Sequence, residues 1–380
     1  MAWDCELSAK RFRWLERNSN SEQEGARAMQ DDLVFLIMAG GAGTRFWPWS
    51  TDRLPKQFLQ FLGDKSLLQE SYRRARDLTQ PERVLVLTHE NYRDLVAQQL
   101  PELSSEQILC EPCRRDTAAA VAYGALAVER RFGNPVTVLL TADHWIQPLE
   151  QFHQAIQEVY WGARQAPVLY TLGIRPTYPA TGYGYLQLGE RLFDERSLPH
   201  HRLVQFREKP AREVAESYLA SGQYLWNSGM FGWQNRVILE QFSQHLPAHL
   251  DTLRPAVEGR RPLGEAFSEL GKISIDFAIL EKAPEVRCVV PEFEWSDLGG
   301  WLALEPFLQR DEGANVHRGR LFGHESHRNI VVCEDPEEVV ALLGVSDLVV
   351  VRVGKKTLIL PKSRNEEIKQ LLTRVPEELQ

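Results

Sequence analysis

The chain has few cysteines, no long hydrophobic run and no excess of positive charge. Its 5 cysteines among 380 residues are few and odd in number, which argues against a disulfide framework and indicates a reducing compartment. No apolar run approaches the roughly 18 residues of a membrane span. The N-terminus carries Asp4 and Glu6 and lacks the apolar core of a secretory signal. We therefore predict a cytoplasmic protein that does not bind membranes.

The charge balance excludes another class of partner. The chain has 44 Lys and Arg against 52 Asp and Glu, a formal net charge of −8, so it lacks the global basic footprint of a nucleic-acid-binding protein. Anionic small ligands stay possible, because a cleft can be locally positive on an acidic protein. Hydrophobic residues make up 43% and charged residues 25% of the chain, which excludes disorder over most of its length.

Short apolar runs alternate with helical patterns along the first two thirds of the chain. Leu33–Ala39 and Val136–Thr141 are typical of strands buried on both faces, with helical spacing between such runs. This alternation predicts an α/β fold with a mostly parallel sheet flanked by helices. After residue 180, runs such as Leu203–Glu208 predict antiparallel additions that make the sheet mixed.

The last part of the chain has a different pattern of predicted elements. After residue 313, short β runs follow one another closely, among them Ile330–Cys333 and Val339–Leu343, and a helix is predicted at Asn365–Leu372. We predict a small C-terminal β segment. The predicted divisions are an N-terminal extension, loosely ordered, at residues 1–31, a catalytic domain at 32–312, and the β segment with its terminal helix at 313–380.

A glycine-rich loop follows the first predicted strand directly. It contains Gly40, Gly41, Gly43 and Thr44. Glycines let backbone N–H groups approach an anion, and ligands of open α/β sheets bind at the carboxyl ends of the strands. Arg45 offers a forked donor for phosphate and Lys56 a point charge. The loop matches neither the dinucleotide fingerprint nor the phosphate loop that ends in G-K-[ST]. We predict a nucleotide-binding loop; the alternative is that the glycines merely make a tight turn.

Two aspartates predict a metal site near this loop. Asp143 comes just after the strand Val136–Thr141, and Asp297 lies between Trp295 and Trp301. Mg²⁺ is usually held by one or two carboxylates together with substrate phosphates, and Asp143 and Asp297 could supply that pair. The alternative for each residue alone is a helix N-cap or a turn aspartate.

Three further short motifs have residues that suit the binding of a sugar. Sugar hydroxyls need both donors and acceptors, and loops around residues 181–185, 208–210 and 226–230 supply them. Lys209 could meet a sugar phosphate. Each motif is weak alone, and its alternative is a loop with a surface Glu–Lys pair. The candidate substrate-binding residues are Gly182, Tyr183, Gly184, Glu208, Lys209, Asn227 and Gly229.

Taken together, the motifs resemble those of bacterial mannose-1-phosphate guanylyltransferases. GGAGTRFWPWS with LPKQFL resembles the signature of that family. The similarity covers about residues 33–372 and continues, in order, through EPCRRDTAAA, TADH, TGYGYL, FREKP, WNSGMF, SIDFAILEK and WSDLGGW. The resemblance implies a Rossmann-like nucleotidyltransferase sheet followed by a small segment like a left-handed β-helix.

The resemblance also implies a reaction, GTP + α-D-mannose 1-phosphate → GDP-mannose + pyrophosphate, with Mg²⁺. By matching positions, the loop Gly40–Arg45 and Lys56 would hold the nucleotide, and Arg115, Asp116 and Thr117 would lie near the base. Gly184, Glu208, Lys209 and Asn227 would hold the mannose part, and Asp143 and Asp297 the metal. Arg45, Lys56 and both aspartates would be catalytic. A homodimer is a family-level expectation. Many relatives carry a further isomerase domain; this chain stops at Gln380, so we expect no isomerase activity.

Some alternatives stay open at this point. The sugar 1-phosphate could be another, such as a heptose, and the base could differ, since Asp116 stands where relatives often have Asn. A non-catalytic homologue that only binds sugar nucleotides is disfavoured, because Arg45, Lys56 and both aspartates are present. A Rossmann oxidoreductase is disfavoured by the glycine spacing.

Overall fold

The computed structural model describes residues 25, 27–41 and 43–379. Most of the expected N-terminal extension, residues 1–24 and 26, therefore lies outside the described residues. Residues 27–32 are helical and lead into the first strand, and Met29 is buried in the main core.

The described residues form a nine-stranded mixed sheet in the order β3-β2-β1-β4-β9-β6-β10-β8-β7. Pairings β1–β2, β1–β4, β2–β3 and β6–β10 are parallel, whereas β8 and β9 run against their neighbours. The predicted mixed, mostly parallel sheet is confirmed. The strands up to residue 296 are β1 (Leu33–Ala39), β2 (Val84–His89), β3 (Ile108–Glu111), β4 (Val136–Thr141), β5 (Trp145–Gln147), β6 (Leu169–Ile174), β7 (Tyr185–Leu192), β8 (His200–Arg207), β9 (Tyr224–Gln234), β10 (Val286–Val289) and β11 (Glu294–Ser296); β5 and β11 pair with each other outside the main sheet.

Alternating side chains of β1 show how the sheet is covered on both faces. Leu33, Phe35 and Ile37 pack in one core with α1, α2 and α4, whereas Val34 and Leu36 pack in a second core with α3, α6, α7 and α8. No polar side chain interrupts this strand, because both of its faces are buried. The α-helices are α1 (Leu67–Arg76), α2 (Arg93–Gln99), α3 (Asp116–Phe132), α4 (Leu149–Gln165), α5 (Arg212–Ser221), α6 (Asn235–His245), α7 (Pro247–Val257), α8 (Leu263–Glu269) and α9 (Ile368–Leu372).

The C-terminal β segment consists of two small sheets with mostly parallel pairing. One has the order β12-β13-β15-β17-β18 and the other pairs β14 with β16. Its strands are β12 (Gln309–Arg310), β13 (Val316–Arg318), β14 (Arg320–His324), β15 (Ile330–Cys333), β16 (Val339–Leu343), β17 (Leu348–Val353) and β18 (Lys356–Pro361). The predicted terminal helix is a 3₁₀ segment, Lys362–Glu367, that continues into α9.

A third core joins this β segment to the α/β part that precedes it. Phe46, Trp49 and Trp301 pack with Val349 and Leu360 of the β segment. Phe46 and Trp301 meet edge to face, with ring centroids 5.1 Å apart. The segment that follows the glycine-rich loop, with Phe46 and Trp49, therefore packs against the C-terminal strands. No helix in the described part of the chain is both long and apolar enough to span a bilayer.

Candidate functional site

The glycine-rich loop leaves the carboxyl end of β1 and is held from behind by side chains. Gln57 Nε2 donates to the carbonyl oxygens of Ala39 (2.9 Å) and Gly41 (3.2 Å), and Thr88 Oγ1 also donates to Ala39 (2.9 Å). Gly43 has φ +62°, and a Cβ there would lie 2.8 Å from the backbone nitrogen of Lys56. A side chain at residue 43 would thus be both strained and overlapping, so the loop requires glycine here.

Lys56 connects the two predicted metal-binding aspartates. Its ammonium group donates to Asp143 Oδ2 at 2.9 Å and also to the main-chain oxygen of Asp297. The lysine is 6% exposed. Burial opposes ionisation of Asp143, but the charges and hydrogen bonds around it, chiefly those of Lys56, together outweigh burial and keep the pKa of this carboxyl below its usual range. Asp143 is therefore a carboxylate at neutral pH.

Asp297 and Arg45 both approach Gly299. A Cβ on Gly299 would lie 2.9 Å from Asp297 Oδ2 and 3.3 Å from Arg45 Nη1. Asp297 Oδ1 accepts a hydrogen bond of 2.6 Å from the Tyr183 hydroxyl; burial and the charge of Asp297 raise the pKa of this tyrosine. Arg45 thus lies near Asp297. Lys56 in turn links Asp297 to Asp143.

His144 lies beside Asp143. The sequence analysis did not select this histidine. Its Nδ1 accepts from Trp295 Nε1 at 3.1 Å, and its Nε2 lies 3.8 Å from Asp143 Oδ1. Burial is the main cause that lowers the pKa of His144 to about 4. The imidazole is neutral at physiological pH, and the bond from Trp295 fixes its proton on Nε2, on the side of Asp143. The only sequence signal was its position directly after Asp143.

The two carboxylates fit a hard divalent cation. Lys56 occupies one oxygen of Asp143, and Tyr183 occupies one oxygen of Asp297, which leaves Asp143 Oδ1 and Asp297 Oδ2 available. In the described part of the chain, no group of three or more His, Cys, Asp or Glu side chains forms a metal site. This donor set could hold Mg²⁺, which commonly takes one or two carboxylates and completes its shell with substrate phosphates and water.

A cleft of about 330 Å³ lies beside the glycine loop, at the carboxyl ends of the strands. Among its walls is Glu111, at the end of β3, a residue that the sequence analysis did not select. Glu111 is 9% exposed, and burial raises its pKa to about 7 despite the nearby charge of Arg114. The cleft is lined by Met38, Gly40, Gly41, Gln57, Leu87, His89, Glu111, Arg114, Asp116, Thr117, Ala120, Thr141 and Asp143.

The three residues expected near the base separate in the structure. Asp116 and Thr117 line the cleft at the start of α3, where Asp116 has φ +67° and its Oδ1 accepts from the Thr117 N–H at 2.7 Å. Arg115 does not join them. It donates 2.8 Å hydrogen bonds to the carbonyl oxygens of Phe267 and Ser268 at the end of α8, which has no further helical turn to satisfy them. Arg114 lines the cleft, whereas Arg115 is bonded to the end of α8.

The candidate sugar-binding residues form a second cluster. A Cβ on Gly184 would lie 2.6 Å from Glu208 Oε2, and the Gly184 carbonyl accepts from the Asn227 N–H at 2.8 Å. Lys209 Nζ lies 2.8 Å from Glu208 Oε1, and its backbone N–H donates to the Tyr183 carbonyl. Since the hydroxyl of Tyr183 also donates to Asp297, this tyrosine links the cluster to the two aspartates for which metal binding is predicted.

Asp276 also belongs to this second cluster, although the sequence analysis did not select it. Its Oδ1 accepts from Asn227 Nδ2 at 3.1 Å, and the other end of that amide accepts from the Gly229 N–H. Burial, and then the charge of Glu208, raise the pKa of Asp276 to about 6. Asp276 begins a π-helical turn, Asp276–Leu280, in which Glu281 N donates to Asp276 O. Gly182, the remaining candidate, is exposed and has open space around its Cα.

Comparisons with known proteins agree with this architecture. Residues 34–312 match the nucleotidyl transferase family, and residues 319–375 match the MannoseP isomerase/GMP-like beta-helix domain. The predicted fold class, including a C-terminal segment like a β-helix, is confirmed. A crystal structure from Thermus thermophilus, named mannose-1-phosphate geranyltransferase, has a TM-score of 0.81 at 36% identity and covers 90% of this chain and 99% of its own.

The curated relatives carry the family assignment. A mannose-1-phosphate guanylyltransferase of Klebsiella pneumoniae is 38% identical over 347 residues, which cover 89% of this chain and 73% of the relative. One of Escherichia coli is 37% identical over the same extent, and one of Sinorhizobium fredii is 37% identical over 80% of this chain and 60% of the relative. The chain therefore belongs to the nucleotidyl transferase family and, within it, to the mannose-1-phosphate guanylyltransferases.

Proposed function

We propose that this protein transfers a guanylyl group from GTP to α-D-mannose 1-phosphate and releases pyrophosphate, with Mg²⁺. The observation that carries the proposal is the Lys56 ammonium, which bonds both Asp143 and the Asp297 main chain beside Arg45 and the glycine loop. The names of the relatives support the choice of substrates.

The proposed chemistry needs no general base. A phosphomonoester has its second pKa at about 6, so mannose 1-phosphate is mostly a dianion at neutral pH. One of its phosphate oxygens attacks the α-phosphorus of GTP, a new P–O bond forms, and the bond to the β-phosphate oxygen breaks, with the electron pair leaving on pyrophosphate. The low pKa of His144 agrees with this scheme, because an imidazole with a pKa of about 4 is a weak base.

The main difficulty of the reaction is the repulsion between two polyanions. Catalysis of phosphoryl and nucleotidyl transfer depends on positioning and on neutralising charge. Arg45 and Lys56 supply cationic donors for the triphosphate and for the departing pyrophosphate. Asp143 and Asp297 would hold the Mg²⁺, which, when bound, neutralises negative charge on the phosphates.

Three acidic side chains support the choice of base and sugar. Guanine presents an N–H and an NH₂ donor side by side, and the Glu111 carboxylate in the cleft is an acceptor that matches both. In the second cluster, Glu208 and Asp276 offer acceptors for sugar hydroxyls, and Lys209 offers a charge for the sugar phosphate. Base and sugar would then bind on opposite sides of the Asp143–Lys56 pair.

Pyrophosphate release by the purified protein tests this function. The assay uses GTP and Mg²⁺ with mannose 1-phosphate, glucose 1-phosphate or heptose 1-phosphate, and ATP and UTP replace GTP as controls. Release that requires both GTP and mannose 1-phosphate supports the proposal. Release with another sugar or base corrects the specificity, and no release from protein that binds GDP-mannose indicates a non-catalytic homologue. A homodimer in the cytoplasm completes the proposal, and light scattering and cell fractionation test these two points.

A further inference from the structure

Arg74 is a buried arginine directly beneath the turn that carries Asp143. It lies on α1 and is 3% exposed. Its Nη2 donates to Ser71 Oγ (2.9 Å) and to the main-chain oxygen of His144 (3.1 Å), and its guanidinium carbon lies 5.8 Å from the centre of the Phe152 ring. A charged group this deep in a protein normally has a partner of opposite charge.

Arg74 makes no ion pair with any carboxylate in the described part of the chain. Glu70, one helical turn earlier, pairs with Arg73 instead, at 2.9 Å on the surface of the helix. The Nε of Arg74 is buried and has no acceptor. Since an unpaired buried charge is costly, and apolar residues of similar volume usually stabilise such a position better, stability alone gives no reason for a guanidinium here.

The contacts of Arg74 bracket Asp143 from both sides. Ser71 Oγ, which accepts from Arg74, donates its own proton to the Thr141 carbonyl at 2.9 Å. Arg74 itself binds the carbonyl of His144. The main chain is thus hydrogen-bonded to side chains of α1 at Thr141 and at His144. The N–H of Ala142, between them, donates to the Met38 carbonyl at 2.9 Å. The turn is fixed on both sides of the carboxylate.

We propose that Arg74 is a positioning residue of the transfer site, which fixes the Thr141–His144 turn so that Asp143 is presented to a divalent cation. Its charge, for which the described residues supply no ion-pair partner, also adds positive potential beneath the proposed phosphate site, because a buried charge is poorly screened. This inference rests on the metal-binding role proposed for Asp143.

The test compares two arginines of the same helix. Arg74→Met removes the charge and the hydrogen bonds at similar length, and Arg73→Met is the matched control on the exposed face. The measurement is Mn²⁺ affinity by electron paramagnetic resonance in the presence of GTP, with Mn²⁺ as the probe for the Mg²⁺ site. Loss of support behind a metal ligand typically weakens metal binding about 10- to 100-fold. We expect a loss in this range for Arg74→Met and a change below about twofold for Arg73→Met.

The outcomes separate positioning from mere folding. If Arg74→Met has the thermal midpoint and circular dichroism of the parent but the same Mn²⁺ affinity, the proposal is overturned. If that variant does not fold, Ser71→Ala, which keeps the charge and removes the link to Thr141, decides instead: weaker Mn²⁺ binding supports the proposal and parental affinity overturns it. Absence of pyrophosphate release by the parent protein would contradict the proposed function, while the Mn²⁺ comparison would still test Arg74.

Discussion

Lys56 and Asp143 form an ion pair of 2.9 Å between Nζ and Oδ2, and the same ammonium group bonds the main chain at Asp297. Three separate parts of the chain, namely the segment after the glycine loop, the end of β4 and the loop after β11, are therefore joined through one buried nitrogen. In the proposed reaction, this lysine keeps Asp143 ionised and supplies charge to the phosphates at the same time.

The aspartates provide the first prediction. Asp143→Asn or Asp297→Asn should lower turnover at least about 100-fold, the scale of losing one electrostatic stabiliser of the transition state. Asparagine keeps the volume, and at residue 297 it can still accept from Tyr183, so the fold should survive. Steady-state rates at saturating Mg²⁺ check this, with Asp347→Asn in the remote β segment as the control. Near-parental turnover of either variant would contradict the metal assignment.

The contact between Arg45 and Glu366 provides the second prediction. Nη1 and Oε2 are 3.8 Å apart and both side chains are exposed, so the pair contributes little to stability. In Glu366→Gln, Arg45 loses its ion-pair partner, which competes with pyrophosphate for the guanidinium, and pyrophosphate should inhibit about two- to fivefold more strongly, the scale of one exposed ion pair. Product-inhibition constants measure this at low salt. Glu367→Gln is the matched control, because Glu367 pairs with Arg364; an equal shift in both variants would exclude a specific role of Glu366.

Glu111 provides a pH prediction. Its pKa is about 7 in the free protein, so the carboxylate that would accept from guanine is formed above pH 7 and lost below it. For a single group of this pKa, the ionised fraction falls about tenfold between pH 8 and pH 6. The GTP KM should rise by a similar factor as the pH falls over that range. In Glu111→Gln this part of the pH dependence should vanish; an unchanged profile in the variant would show that another group is responsible.

Gly184 provides the fourth prediction. A methyl group there would lie 2.6 Å from Glu208 Oε2, so Gly184→Ala must displace that carboxylate from the sugar cluster. We expect the KM for mannose 1-phosphate to rise about tenfold, because one hydrogen bond to a charged acceptor is worth roughly 1.5 kcal/mol or more, while the KM for GTP changes little. Gly264→Ala, where the structure leaves open space, is the control. Equal effects on both KM values would point to a general distortion instead.

The sequence predicted the strands, and the proximity of four charged residues, for a physical reason. A strand buried on both faces, such as Leu33–Ala39, must be apolar throughout, and polar residues that follow such strands lie at one edge of the sheet. The structure accordingly brings Arg45, Lys56, Asp143 and Asp297 together.

The residues that were missed depend on three-dimensional surroundings. Arg114 and Arg115 are neighbours of the same type, and only the carbonyl groups at the end of α8 decide which of them turns away from the cleft. Arg73 and Arg74 are equally alike in sequence, but their phase on α1 places one in water and the other under the Asp143 turn. The π-helical turn at Asp276 likewise differs from an α-helix by a single hydrogen-bond register.

The third core has a consequence for how this molecule gains and loses its structure. Phe46 and Trp49, which follow the nucleotide loop, share that core with Val349 and Leu360 from the end of the chain. The catalytic part and the C-terminal β segment therefore cannot unfold in separate steps, because unfolding of the C-terminal strands would expose tryptophans of the catalytic part to water. Heating should give one cooperative transition, and during synthesis the nucleotide loop would reach its final form only after the last strands have been made.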